Sequence, residues 1–224
     1  QSDIHSIAKP VSDWIGDPVS GEDAVAKARE AFDVAMRPNG GISTLIVPAD
    51  IAWSEMTGAK PAARKKAAAK PVDMALIREA AAALKSGEPK VLLIGGHAGL
   101  EKPLALAAAI AEKTGARLFA DTFVPRLARG AGRARPERVP YLGEMALMMM
   151  KDFRQAVVVG TKAPVAFFAY PNKPSTFLSP ECKVHEPWSM GHDVVEVLTA
   201  LAEKVGAKVG SAPAAGGPPE APGA

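Results

Sequence analysis

Cysteine is nearly absent from this chain, which has one thiol, Cys182, in 224 residues. A single cysteine cannot form an internal disulfide, so the class of small secreted domains held together by disulfides is excluded. Cys182 and His185 are three residues apart, but a zinc site needs three or four ligands, and the sequence indicates no others to join them. We therefore predict no metal site, and we expect the chain to reside in the reducing cytoplasm.

Long hydrophobic runs are also missing. No apolar stretch reaches the roughly 18 residues that a membrane helix needs, and the chain does not open with the pattern of a secretion signal. The formal net charge of +3 is too small to indicate a nucleic-acid partner by itself. We expect a globular chain that binds no membrane.

Positive charge is concentrated in the segment VPRLARGAGRARPER. It contains Arg126, Arg129, Arg133, Arg135 and Arg138, with a single acid. Arginine side chains suit phosphates, but no aromatic residue lies between them to stack on bases. The pattern favours a solvated loop, and a nucleic-acid surface is the less favoured alternative.

Two α/β pieces of unequal length are predicted along the chain. Residues 1–55 contain a helix-period run and then an apolar strand at 42–47, with no earlier strand to complete a sheet, so we interpret them as the end of another α/β domain. That strand is expected to be mobile or to self-associate. Residues 56–72 form a basic linker, 73–208 the main domain, and 209–224 a disordered Pro/Gly/Ala linker.

The main domain alternates short apolar strands with amphipathic helices. Strands are predicted at 90–94, 117–120, 156–159 and 182–185, and helices from Asp73, at 103–113, around Met145 and at 193–205. Strands that are apolar throughout are typical of a parallel sheet covered on both faces. The predicted fold is therefore α/β, a Rossmann-like parallel sheet with helices on both faces.

Residues that follow the predicted strands could form a nucleotide site. Gly95 and Gly96 lie where a strand passes into a helix, so backbone amides there could face a phosphate. Asp121 ends the next strand, where a ribose-binding acid is expected, and Lys162 follows the third strand. The glycines do not fit the G-x-G-x-x-G fingerprint, and the alternative is that they only permit a tight turn while Asp121 caps a loop.

Several segments, among them SDIHSIAKPVSDWI and KVLLIGGHAGL, resemble the thiamine-diphosphate-dependent enzymes, specifically acetolactate synthase large-subunit-like proteins. SDIHSIAKPVSDWI and GGISTLIVPADIAW are similar to the end of that family's pyrimidine-binding domain. KVLLIGGHAGL, TGARLFADTF, PYLGE and VVVGTKAPVAFFAYPNKPS are similar to its central domain. The Pro/Gly tail stands where the linker to the diphosphate-binding domain would begin.

The resemblance implies a parent enzyme that joins a pyruvate-derived two-carbon unit to a 2-keto acid, in branched-chain amino acid biosynthesis. Thiamine diphosphate and Mg²⁺ would be its cofactors, with their ligands and the catalytic residues outside this chain. The expected partners are the flanking pyrimidine and diphosphate domains, in a homo-oligomer. This chain alone is expected to be inactive.

In the family, the central domain of some members holds FAD or ADP. The matching positions are Gly95, Gly96, His97, Asp121, Thr122, Gly160, Thr161, Lys162, His185 and Glu186. Two motifs depart from the family: Gly160 to Pro164 stands where G-A-R-F-D-D is usual, and Leu142 to Ala146 replaces L-G-M-H-G. A non-catalytic assembly domain without a nucleotide is therefore the alternative.

Overall fold

The computed structural model describes residues 2–37, 40–56, 58, 60, 63, 68–168 and 171–209. The chain divides into two compact units, Gln1–Ala69 and Lys70–Ala224. The predicted basic linker is described only in part, and the predicted tail lies outside the described residues except for Val209. The predicted domain boundaries stay predictions.

The first unit consists of short elements around one long helix. They are α1 (Ile4–Ala8), β1 (Trp14–Gly16), α2 (Gly21–Ala35), β2 (Ser43–Leu45) and α3 (Ala49–Ala52). Helix α2 begins where the Ser20 side chain accepts a hydrogen bond from the amide of Asp23, which is the usual N-cap arrangement.

Strand β2 has a neighbour, so the expectation that no earlier strand completes a sheet was wrong. The expectation that this strand is mobile or self-associates stays a prediction. Strand β2 pairs in parallel with β1, with Trp14 opposite Ser43 and Gly16 opposite Leu45. The amide of Ile46 donates to the Gly16 carbonyl at 2.9 Å, which extends the pairing by one residue. A three-residue strand is too short to show an alternating pattern, and this is why the sequence did not reveal β1.

The second unit contains the parallel sheet. Its elements are α4 (Met74–Lys85), β3 (Lys90–Ile94), a 3₁₀ turn (Gly96–Gly99), α5 (Glu101–Thr114), β4 (Arg117–Ala120), β5 (Glu137–Arg138), α6 (Gly143–Met150), β6 (Gln155–Val159), β7 (Lys183–His185) and α7 (Val194–Val205). The strand order is β5-β4-β3-β6-β7, and every neighbouring pair is parallel. The predicted α/β fold is confirmed.

Helices cover both faces of this sheet, but unevenly. Leu92 and Ile94 of β3 point to one face, where they share a core with α4, α5 and α7. Val91 and Leu93 point to the other face, where they pack with Phe119 and with α6. Because β3 and β6 are buried on both sides, they read in the sequence as continuous apolar runs rather than alternating ones.

Among the described residues, no helix combines the length and the apolar character that crossing a bilayer requires.

Candidate functional site

Three neighbouring strands end at the same level of the sheet. Ile94 of β3 is in register with Ala120 of β4 and with Val159 of β6. The residues that follow them are Gly95, Asp121 and Gly160, so the three loops leave one edge of the sheet together. The carboxyl edge of a parallel sheet is where open α/β folds bind their ligands.

The glycines in these loops allow two turns to cross. A Cβ atom on Gly96 would lie 2.8 Å from the carbonyl oxygen of Gly160, and one on Gly160 would collide with the carbonyl oxygen of Gly95. Gly96 and Gly160 also have positive φ angles, 50° and 77°, which side chains strongly disfavour. Packing between the turns alone is enough to require glycine here.

Asp121 connects the loop after β4 with the loop after β6. The Thr161 hydroxyl donates to Asp121 Oδ2 at 2.6 Å, while the Thr122 amide donates to Asp121 Oδ1 at 2.7 Å. Because β3 lies between β4 and β6, this bond passes over the end of β3. A Cβ on Gly95 would lie 2.5 Å from Thr161 Cβ, so this glycine leaves room for the Thr161–Asp121 hydrogen bond.

Thr122 is the most deeply buried polar residue of this group, with 7% of its surface exposed. Its hydroxyl donates to the Val139 carbonyl at 2.9 Å, which fixes the start of the loop after β4 against the end of β5. The Thr122 hydroxyl therefore holds the loop in place, and its predicted contact with a ligand stays a prediction.

The groups that remain available to a ligand at this edge are His97 and Lys162, which are exposed. Within the described part of the chain, no hydrogen bond uses the backbone amides of Gly96 or His97. Two free amides and a cation suit an anionic group such as a phosphate, and the Asp121 carboxylate retains acceptor capacity for a hydroxyl. The residues present thus fit a nucleotide, whereas the Asp121 hydrogen bonds and the packing of the glycine turns are complete without one.

His185 and Glu186 lie apart from this group. Strand β7 pairs with the first half of β6, so His185 stands opposite Val157, short of the strand end at Val159. The ring Nε2 of His185 is 2.7 Å from Oε1 of Gln155, whose Nε2 donates to Glu88. Burial lowers the pKa of His185; the Glu79 carboxylate raises it by less, and the Lys183 charge lowers it slightly further.

Comparison with known proteins gives one curated relative over nearly the whole chain. It is the acetolactate synthase large subunit-like protein IlvX of Mycobacterium tuberculosis, 40% identical over 205 residues, or 92% of this chain. The predicted resemblance to acetolactate synthase-like large subunits is confirmed. The chain spans 39% of the length of that relative. No protein-family model matches this chain.

Solved structures of thiamine diphosphate-dependent enzymes share the fold of this chain. A thiamine diphosphate-dependent 4-hydroxybenzoylformate decarboxylase from Rhodococcus jostii RHA1 superposes with a TM-score of 0.63 and 20% identity, covering 96% of this chain and 44% of the enzyme. Benzoylformate decarboxylase from Polynucleobacter necessarius gives 0.64 and 18%, covering 90% and 40%. At these identities the likeness concerns the fold alone.

The arginine-rich loop packs beside the 3₁₀ turn. The amide of Ala128 donates to the Gly99 carbonyl at 2.8 Å, and Arg133 pairs with Glu101 at 2.9 Å. The loop also contains β5, which the sequence did not reveal, and Glu137 of β5 pairs with Arg117. The solvated-loop interpretation stays a prediction.

An aromatic cluster at the same edge was missed by the sequence reasoning. Its members are Phe123, Tyr141, Phe167 and Phe168, and we call it the aromatic cluster. Ring centroids of Phe123 and Phe167 are 4.6 Å apart, and Tyr141 lies 6.0 Å from Phe123 and 5.9 Å from Phe167. These residues are scattered over three loops, so only the strand order brings them together. The sole sequence signal is that each follows a strand.

Among the described residues, no group of three or more His, Cys, Asp or Glu side chains is arranged to hold a metal ion. Cys182 is buried, and burial raises the pKa of its thiol.

Proposed function

We propose that this chain supplies the central domain, and the end of the pyrimidine-binding domain, of an acetolactate synthase-like enzyme. The observation that carries the proposal is the 40% identity with the large subunit-like protein over 92% of the chain. The parent enzyme would join a pyruvate-derived two-carbon unit to a 2-keto acid, in branched-chain amino acid biosynthesis in the cytoplasm. It would use thiamine diphosphate with Mg²⁺ and act as a homo-oligomer.

The described residues of this chain contribute a scaffold rather than reacting groups. Thiamine diphosphate, when bound, stabilises a carbanion, and residues outside the chain would hold it. The central domain would place its neighbours correctly, because a rigid sheet buried on both faces holds its edge loops in fixed positions.

The carboxyl edge of the sheet is the proposed site for an adenine nucleotide, FAD or ADP. The amides of Gly96 and His97 with the Lys162 ammonium would face the diphosphate, and Asp121 would accept from a ribose hydroxyl. Support comes from the convergence of three loops and from the exposed His97 and Lys162. His185 and Glu186 would serve only a ligand that also reaches the end of β7.

A second candidate is an assembly domain that binds no nucleotide. The observation favouring it is that Asp121 already accepts hydrogen bonds from Thr161 and Thr122, while the glycines are required by the crossing of two turns. If the chain is such an assembly domain, Gly95, Gly96 and Gly160 each serve only to pack the turns.

An activity assay tests whether the chain is catalytic alone. We expect no acetolactate from the chain mixed with pyruvate, thiamine diphosphate and Mg²⁺. Product above the level of a boiled control would contradict the proposal that the catalytic groups lie outside the chain.

Calorimetric titration of FAD, ADP and NAD separates the nucleotide site from the assembly domain. Removing a charged hydrogen bond costs about 1.5–3 kcal/mol, so Lys162→Ala should weaken binding roughly tenfold to a hundredfold. Lys113→Ala is the matched control, because Lys113 is an exposed lysine in the last turn of α5. If none of the three ligands binds the unmodified chain below about 1 mM, the assembly-domain candidate stands.

Asp121 needs its own control, because its carboxylate also holds Thr161. Asp121→Ala removes both the proposed ribose contact and the internal bond, whereas Thr161→Val removes the internal bond and keeps the carboxylate. Binding that is weakened by the first change and retained after the second would support Asp121 as a ligand contact. Equal losses of affinity in both variants would mean that the Thr161–Asp121 hydrogen bond maintains the site and that the carboxylate makes no contact with the ligand.

A further inference from the structure

The arginine-rich loop carries positive charge that the rest of the chain leaves largely unpaired. Residues 121–141 contain five arginines and two acids, an excess equal to the net charge of +3 of the whole chain. Of these acids, Glu137 pairs with Arg117. The oxygens of Asp121 accept hydrogen bonds from Thr161 and Thr122. Among the described residues, no ion pair involves four of the five arginines, and all four are exposed: Arg126, Arg129, Arg135 and Arg138.

Apolar residues of the same loop hold it in place. Leu127, Ala128 and Ala134 are half-buried and pack against the larger core cluster. Arg133, the fifth arginine, pairs with Glu101 at 2.9 Å. Arginines on a loop that is already held lose less conformational freedom on binding than those of a disordered segment. The loop therefore presents the four unpaired arginines to solvent from a defined position.

The aromatic cluster stands at both ends of this loop. Phe123 lies three residues before Arg126, and Tyr141 lies three residues after Arg138. Three residues of chain span at most about 10 Å, so each ring is close to an unpaired arginine. No aromatic residue lies between the arginines in the sequence, and the fold supplies the rings that the sequence alone lacks.

The rings of Phe123 and Tyr141 are open to solvent, with 61% and 52% of their residue surfaces exposed. Tyr141 meets the Phe123 ring at an angle of 68° and Phe167 meets it at 55°, so neither lies flat against it. A planar group can therefore stack on Phe123 while these contacts between the rings stay in place.

We propose that the arginine-rich loop and the aromatic cluster together bind single-stranded nucleic acid. Arginine forks suit phosphate oxygens, and aromatic rings stack on unpaired bases whatever their sequence. A duplex keeps its bases stacked on each other, so it would use the arginines alone. The same holds for an acidic protein, which has no bases to stack.

The single strand and the proposed nucleotide would use different side chains. A nucleotide would contact His97, Asp121 and Lys162, whereas the strand would contact the four unpaired arginines and the rings. Variants of the arginines and of Phe123 keep all three side chains of the nucleotide site. Each of the two functions can therefore fail in these measurements without the other.

Fluorescence anisotropy of labelled ten-nucleotide strands, titrated with the full chain, tests the proposal. An oligouridylate and an oligothymidylate distinguish RNA from DNA, and binding of either supports it. We expect a dissociation constant below about 100 µM, within the range of binding that is not sequence-specific. Weaker binding of both strands overturns the proposal.

Two competitors separate a single strand from other anions. A duplex of the same sequence and a poly-glutamate peptide of equal charge should each displace the labelled strand at least about tenfold less effectively than the unlabelled strand, because neither stacks on the rings. Displacement by either as effective as by the unlabelled strand would reveal a general anion surface, and the proposal would then be wrong.

The dependence on salt reports the phosphate contacts. For single strands, the logarithm of the binding constant falls by about 0.7 per phosphate contact for each tenfold rise in salt, so Arg129→Gln with Arg135→Gln should make the slope shallower by about 1.4. Arg78→Gln with Lys113→Gln is the matched control, because it removes the same charge from exposed positions on α4 and α5. The control should keep the original slope. Equal slopes in the two double variants would contradict a contact with the loop.

Phe123→Leu tests the stacking. Leucine keeps the apolar character but has no ring, so the affinity for the strand should fall about tenfold while the salt dependence stays the same. Phe123→Trp should retain the affinity, because tryptophan also stacks. Circular dichroism should show that every variant keeps the fold. Unchanged affinity in the folded leucine variant would mean that no base stacks on Phe123 and would refute the proposal.

Discussion

At the scale of single residues, His185 carries the clearest dependence on pH. Its ring is held against Gln155, and burial lowers its pKa below the ordinary value of 6.5. The unfolded chain therefore binds a proton at a higher pH than the folded chain does. His185 contributes stability that is fully present above pH 6.5 and is lost as the pH falls through the folded pKa.

We expect His185→Gln to flatten this acid dependence. Glutamine can still hydrogen-bond Gln155 but does not titrate, so the variant should lose less stability than the unmodified chain between about pH 7.5 and 5.5. Urea unfolding at both pH values provides the measurement. His97→Gln, at an exposed histidine, is the control and should keep the original dependence. Equal pH dependence of the His185 variant and the unmodified chain would contradict the prediction.

The candidate site was predictable in part from the sequence. Gly95, Asp121 and Gly160 each follow a predicted strand, and parallel strands must end at one edge. The Thr161–Asp121 hydrogen bond could not be predicted, because it joins residues 40 positions apart whose alignment depends on strand order. Nor could the position of His185, since the register of a three-residue strand leaves little trace in the sequence.

At the scale of elements, β3 has the most central position in the sheet. It is the central strand and pairs with both β4 and β6. Long apolar strands and capped helices were predicted almost to the residue, because burial on both faces and the Asp73 and Asp193 caps are local features. The two-residue strand β5 was missed because its pairing depends on a loop that brings it back to β4.

Leu92→Ala should destabilise the second unit by about 2–5 kcal/mol, because the Leu92 side chain is fully buried and its loss leaves a cavity. Val184→Ala is the matched control on the edge strand β7, where Val184 is 42% exposed, and it should cost under about 1 kcal/mol. Urea unfolding followed by Trp188 fluorescence, in a background carrying Trp14→Phe and Trp53→Phe, measures both. Similar losses for the two variants would mean that β3 is not the centre of the core.

At the scale of the whole molecule, the two units differ in how much apolar surface they bury. Among the described residues of the first unit, the buried hydrophobic side chains are Ala8 and Val34. The second unit contains both core clusters, which span residues 77–205. It therefore has what a domain needs to fold independently.

A chain shortened to residues 70–209 should accordingly fold without the first unit. We expect cooperative unfolding in urea, at the midpoint that Trp188 reports in a full chain carrying Trp14→Phe and Trp53→Phe. Trp188 packs against the core of the second unit, and Trp14 and Trp53 are absent from the shortened chain, so its fluorescence reports this unit alone. Gradual unfolding without a transition would show that the core requires the first unit.

The crossing of the two turns has a consequence for how such chains diverge. Gly96 and Gly160 are fixed by contacts between one backbone and another, and Gly95 by the Thr161 side chain, so a descendant that no longer bound a nucleotide would still retain all three while Thr161 stays. The exposed side chains of His97 and Lys162 have no such restraint and would be free to change. Loss of a ligand would therefore show as substitutions at His97 and Lys162, while the three glycines stayed unchanged.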